Sequence, residues 1–167
     1  MAEIPDVILT TFGDMVRVPG SHGTLQEIRA EGADVRIVYS PLDALAMARQ
    51  NPAREVIFLG VGFETTTPGI AATLLQAEKE DVPNFSVLSM HKLTPPAMQA
   101  ILDAGEVALD GIIGPGHVSA VIGSDAWSFL PEQYGIACAV AGFEPLDLLS
   151  AIAALVHAAA EKRPAVV

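Results

Sequence analysis

The sequence carries a single cysteine, Cys138, among 167 residues. One thiol cannot build an internal disulfide framework, a cysteine zinc site or a cysteine-ligated iron–sulfur cluster within one chain. Basic residues are also scarce: 9 Lys+Arg stand against 20 Asp+Glu, a formal net charge of −11. Non-specific nucleic-acid binding draws on clustered Lys and Arg, so no nucleic-acid partner is expected. No apolar run reaches the ~18 residues of a membrane span. The longest, Leu148 to Ala160, contains His157, follows Asp147, and reads as a buried helix. The start, Met1-Ala2-Glu3-Ile4-Pro5-Asp6, is acidic and has no basic region leading into an apolar stretch. No targeting segment is read there, and the expected location is the cytoplasm.

What the chain does have is apolar mass, 51% hydrophobic against 17% charged residues. At roughly 150 residues per domain this is one domain, or two small ones sharing an interface. Short β-branched runs alternate with alanine-rich helical stretches. Strands are expected at 7–12, 35–39, 56–61, 85–90, 111–114 and 136–141, and helices at 24–31, 41–51, 67–80, 95–104, 125–133 and 145–161. Most strand candidates are apolar at consecutive positions, the pattern of strands covered on both faces. The expected fold is α/β, with parallel sheets flanked by helices in two similar Rossmann-like halves. Ser40-Pro41-Leu42-Asp43 and Glu144-Pro145-Leu146-Asp147 share a helix-start pattern, with proline in the first turn and a carboxylate after it. Val61-Gly62-Phe63-Glu64 returns as Ala141-Gly142-Phe143-Glu144, an echo that two similar halves would explain. The polar stretch 80–84 is the expected boundary, giving halves 1–82 and 83–167.

In open α/β sheets ligands gather beyond the carboxyl ends of the strands, so the strand-to-helix junctions are the candidate sites. The first, Thr11 to Gly23, has glycines and a proline that shape a loop, within which Asp14 and Arg17 would pair or face a ligand. The second, Gly60 to Gly69, fails as a dinucleotide fingerprint, because the third glycine is replaced by Thr65. What remains there is Glu64 with Thr65, Thr66 and Thr67 at a helix start, a threonine cap or a polar pocket. His91, before Pro95-Pro96, and His117, after Gly114-Pro115-Gly116, stand at further strand ends. Each reads either as a satisfied structural histidine or as a ligand. If the strand ends share one side, Glu64, His91, His117 and Glu144 can converge to handle protons or a metal. No local metal motif supports the metal reading, for which His91 and His117 are the weak candidates. Cys138 is mid-strand and reads as an inert buried thiol.

Taken together, these motifs resemble the HypD family of nickel–iron hydrogenase maturation factors. The carriers, in order, are Thr11-Phe12-Gly13-Asp14-Met15 with Arg17-Val18-Pro19-Gly20, and Gly62-Phe63-Glu64-Thr65-Thr66. His91 with Pro95-Pro96-Ala97-Met98, Gly116-His117-Val118 and Gly142-Phe143-Glu144-Pro145-Leu146-Asp147 follow. Asp34 to Leu45 is similar as well, and the resemblance runs from Val7 to about Ala154. It implies a scaffold for assembling the Fe(CN)2CO centre, working with HypC-like and HypE-like partners. For the full-length family it also implies a [4Fe–4S] cluster, redox-active cysteines and two similar α/β domains.

The family's cysteine motifs do not occur in this sequence. Gly114-Pro115-Gly116 matches the start of one, but His117 follows where that motif has cysteine. The expectation is therefore a HypD-like core without iron-binding thiols and with no cofactor of its own. Whether it is a fragment, a truncated product or a divergent relative stays open. By the same resemblance Asp14, Arg17, Glu64, Thr65, Thr66, His91 and His117 would line a cleft. No catalysis is expected from this chain alone. The competing readings are a small-molecule α/β enzyme built on the Glu64, His91 and His117 loops, and an inactive fragment that self-associates through exposed apolar surface.

Overall fold

Each β-branched run becomes a parallel strand. The computed structural model describes residues 2 and 4–167. Its strands are β1 (Val7–Thr11), β2 (Val35–Ile37), β3 (Glu55–Gly60), β4 (Phe85–Ser89), β5 (Gly111–Pro115) and β6 (Ala137–Ala141). The α-helices are α1 (Leu25–Ala30), α2 (Pro41–Gln50), α3 (Thr67–Lys79), α4 (Thr94–Asp103), α5 (Gly116–Ile122) and α6 (Pro145–Glu161). The chain divides into two compact units, one holding the residues up to Gly62 together with Thr66–His91, the other Phe63–Thr65 and Lys92–Val167.

The first unit is a four-stranded parallel sheet in the order β2-β1-β3-β4. Successive side chains on a strand point to opposite faces, and this explains the consecutive apolar positions. Ile8 and Phe58 enter one core with Leu45, Val56 and Ile70, while their neighbours Leu9 and Leu59 enter a second core with Val16 and Val35. Helix α2 opens as its sequence dictates: the Leu42 N–H donates to Ser40 Oγ (3.2 Å), and the Ser40 N–H donates to Asp43 Oδ2 (3.0 Å), a capping box. At the other end of the sheet Asp34 accepts from Arg36 Nε (2.8 Å) and Arg54 Nη1 (2.7 Å). These partners hold its carboxyl down at about 2, the Arg36 hydrogen bond contributing most.

The polar stretch 80–84 is not the boundary. It is a turn inside the first unit, and the division falls after His91. The reason is Asn84, which is buried and donates from Nδ2 to the carbonyls of Ala48 (3.0 Å), Asn51 (3.0 Å) and Arg54 (2.8 Å). A polar residue read as linker is the clamp that holds β4 to the end of α2.

The second unit is smaller in sheet. Strands β5 and β6 pair in parallel, and the segment 165–167 lies along β6: the Cys138 N–H donates to Ala165 O (2.9 Å) and the Val167 N–H to Cys138 O (2.9 Å). Its core gathers Leu102, Val118, Trp127, Leu130, Ile136 and Cys138. Two sequence expectations are corrected here. His117, expected in a strand-end loop, lies instead in helix α5, anchored by buried Val118 and by Ser119, whose Oγ donates to Pro115 O (3.0 Å) and accepts from Trp127 Nε1 (2.8 Å). The expected helix 125–133 is instead a 3-10 turn at Ser124–Trp127 and a π-helical turn at Leu130–Tyr134. Pro131 has no N–H to continue an α-helical ladder and forces the break. No helix among the described residues is long and apolar enough to cross a membrane.

Candidate functional site

Asp14, Arg17, Thr66 and His91 fall in the first unit, and Glu64, Thr65, His117 and Glu144 in the second. In the first unit Asp14 and Arg17 do not pair. Asp14 Oδ1 accepts from the Met15 N–H (3.0 Å) and caps the 3-10 turn Met15–Arg17. Thr66 stands at the N-cap of α3 without a capping hydrogen bond from its side chain. That side chain packs instead beneath Gly62, where a Cβ would come within 2.4 Å of Thr66 Oγ1. Glycine at 62 is therefore required twice, by this contact and by its φ of +146°. His91 Nδ1 shares a hydrogen bond with Ser89 Oγ (2.8 Å), and its Nε2 is buried without a partner. The imidazole also covers Gly60, since a Cβ there would meet His91 Cε1 at 2.8 Å.

In the second unit the central group is Glu64. It is 3% exposed. Its Oε1 accepts from the Thr94 N–H (2.6 Å) and its Oε2 from the Thr94 Oγ1 hydroxyl (2.7 Å). Thr94 is the first residue of α4, so the carboxylate, reaching from a segment 30 residues away, caps that helix's positive end. Burial pushes the Glu64 carboxyl up, but hydrogen bonds from the Thr94 hydroxyl, from its own backbone and from the Thr94 N–H outweigh it. The net position is below the usual carboxylate range. This is a different cap from the one read at Thr65 to Thr67: it stands at the start of α4, where the Glu64 carboxylate accepts and Thr94 donates.

Around this tie lies an open cleft of about 700 Å³, lined by Phe63, Thr65, Thr94, Pro115, His117, Val118 and Phe143. His117 and Phe143 stack with ring centroids 5.0 Å apart and planes 24° from parallel. The structure therefore brings Thr65 and His117 to one cleft and puts Glu64 beneath it as a fastening. Glu144 is exposed beside Phe143 and is not part of the lining. The two helix starts that looked alike differ here, because Glu144 at the N-cap of α6 makes no capping bond whereas Ser40 does.

The cleft residues that sequence reasoning passed over are Phe63, Phe143 and Thr94. The signal for the first two was the Gly-Phe-Glu echo, whose phenylalanines both reach this cleft. Nothing local marked Thr94 as the partner of Glu64. Among the described residues no group of three His, Cys, Asp or Glu side chains comes together as a metal site would need. Cys138 is buried in β6, where desolvation pushes its thiol up.

The family model for HypD, described as the hydrogenase formation hypA family, matches residues 1–167. The hydrogenase maturation factor HypD of Rhodobacter capsulatus is 51% identical over 162 residues, which cover 97% of this chain and 43% of that protein. HypD of Azotobacter vinelandii is 53% identical over 169 residues, covering 98% and 45%. HypD of Escherichia coli is 49% identical over 157 residues, covering 94% and 42%. The chain spans less than half the length of these relatives, and over that span the motifs from Asp14 to Asp147 fall within the matched region. The chain belongs to the HypD family of hydrogenase formation proteins.

Proposed function

We propose that this chain supplies the α/β framework of a hydrogenase maturation scaffold, on which the Fe(CN)2CO centre of a nickel–iron hydrogenase is assembled with HypC-like and HypE-like partners. The observation that carries the proposal is identity near one half over nearly the whole chain to proteins named hydrogenase maturation factor. The iron complex is cargo in this reading. The chain's own residues offer it no ready thiolate, because Cys138 is buried and desolvated.

The [4Fe–4S] cluster implied for the full-length family takes thiolate ligands from several cysteines. The single buried Cys138 does not fit it, so the contribution of this chain is shape and surface. Glu64 fixes the start of α4 and with it Thr94 at the cleft. His117 and Phe143 stack on each other at the same cleft.

The test is a chimera in which this chain replaces the 42% of Escherichia coli HypD that it matches. Expressed in a strain lacking HypD, it is expected to restore nickel–iron hydrogenase activity. A chimera that accumulates in folded form and restores none counts against the proposal.

A further inference from the structure

The cleft of the second unit has features that neither packing nor the framework role requires. Phe143 is 78% exposed and Phe63 47% exposed. Large aromatic rings presented to solvent around a concavity are the usual mark of a docking pocket. One wall is fixed beforehand by the Glu64–Thr94 hydrogen bonds, and at the same cleft His117 and Phe143 stack on each other. A fixed wall reduces the ordering that binding would otherwise require.

No carboxylate, lysine or arginine lines this cleft. A phosphate or carboxylate ligand would find no lysine or arginine to pair with, while an apolar side chain would find rings and aliphatic surface. Charge lies at a second depression, which Gly142 and Asp147 help to line. Glu144 follows Phe143 directly, and both Glu144 Oε2 (2.8 Å) and Asp147 Oδ2 (2.7 Å) close on the position a Gly142 Cβ would take. The two carboxylates thus converge on one side of Gly142. Neither has a hydrogen-bond or ion-pair partner among the described residues. They stand in the first turn of the 17-residue α6, whose positive end favours them. A cation placed there would meet two carboxylates and the exposed face of Phe143.

We propose that this cleft docks a segment of a partner protein that presents an apolar side chain flanked by lysine or arginine, the apolar group between Phe63 and Phe143 and the cation at Glu144 and Asp147. Charge complementarity selects this occupant. A second copy of the chain would bring another net charge of −11 against the same carboxylates. The proposal rests on the cleft alone and stands or falls separately from the maturation role.

The experiment is an NMR titration of the 167-residue chain with the capped peptide acetyl-Gly-Ser-Arg-Leu-Arg-Ser-Gly-amide, followed at His117 and Phe143. Saturable shifts at both residues are expected, weakening as salt rises. Phe143→Ala is expected to weaken binding about tenfold, as is replacing the peptide's leucine by glycine. Glu144→Gln with Asp147→Asn is expected to weaken it about threefold or more and to remove most of the salt dependence. Phe63→Ala serves as a second variant, and the fluorescence of Trp127 checks that each variant is folded. Four results would overturn the proposal. They are absence of shifts at His117 and Phe143, equal binding of a peptide with glutamate in place of arginine, binding indifferent to both phenylalanine substitutions, and cleft shifts produced by self-association of the chain alone.

Discussion

Replacing Glu64 separates a fastening from a reactive carboxylate. Its two hydrogen bonds from Thr94, at 2.6 and 2.7 Å, are charge-assisted, and such bonds contribute about 1.5–3 kcal/mol each. Part of that gain is offset by the burial of the carboxylate. Glu64→Ala removes both acceptors and leaves the first N–H of α4 and a hydroxyl without their partner, so a loss of about 2–4 kcal/mol is expected. Glu64→Gln keeps the shape and one acceptor oxygen, and its amide can donate to the Thr94 hydroxyl. Only the charge assistance goes, about 1–1.5 kcal/mol.

The assay is urea unfolding followed by the fluorescence of Trp127. It is the only tryptophan in the chain, is fully buried, and reports on the second unit. The folded Glu64 carboxyl titrates below its ordinary value. Its contribution is therefore complete above the unfolded value of about 4.3 and is lost as pH falls through the lower folded value. The gap between the parent chain and Glu64→Gln should narrow over that acid window and stay constant above it. The reasoning is refuted if Glu64→Ala unfolds at the parent's urea midpoint, or if the gap to Glu64→Gln does not change with pH.

Further outcomes follow from the first unit. The folded Asp34 carboxyl lies at about 2 against an ordinary 3.8. At about 1.4 kcal/mol per pH unit this corresponds to at most about 2.5 kcal/mol, less some screening by solvent. That stability is present above pH ~4 and disappears toward pH ~2; circular dichroism in urea should show Asp34→Asn lacking this acid dependence. Asn84→Ala leaves the carbonyls of Ala48, Asn51 and Arg54 without their shared donor and is expected to lower stability by about 2–3 kcal/mol. Asn84→Asp should be worse at neutral pH and recover as acid protonates it, seen in the same urea curves. Gly62→Ala must strain a φ of +146° and also displace Thr66, whereas Gly32→Ala strains a φ of +107° with nothing within 4 Å. The Gly62 variant should therefore lose clearly more thermal stability than the Gly32 variant.

Most strands and helices were legible because their signals are local. Val7 to Leu9 and Val56 to Leu59 are apolar on both faces, and the two cores on either side of the sheet show why. Ser40 and Asp43 announced a capping box that forms as written. The failures were local signals overruled by distant ones. Gly114-Pro115-Gly116 suggested a loop, yet Trp127 and Val118 bind α5 into the second core. Glu80 to Asn84 suggested a linker, yet the Asn84 amide reaches three carbonyls in another segment.

By itself the sequence determined the α/β class, the order of the strands and of most helices, the family, and the scarcity of thiol and cation that bounds the chemistry. These depend on composition, on periodicity over a few residues and on motifs read in order. Only the tertiary structure decided what the motif residues do. It made Glu64 a buried cap on Thr94 and left Asp14 capping its own turn. It also brought Phe63, from the loop after β3, into one cleft with His117 and Phe143. A carboxylate's role follows from its partner. The partner of Glu64 stands 30 residues away, beyond the reach of any local pattern.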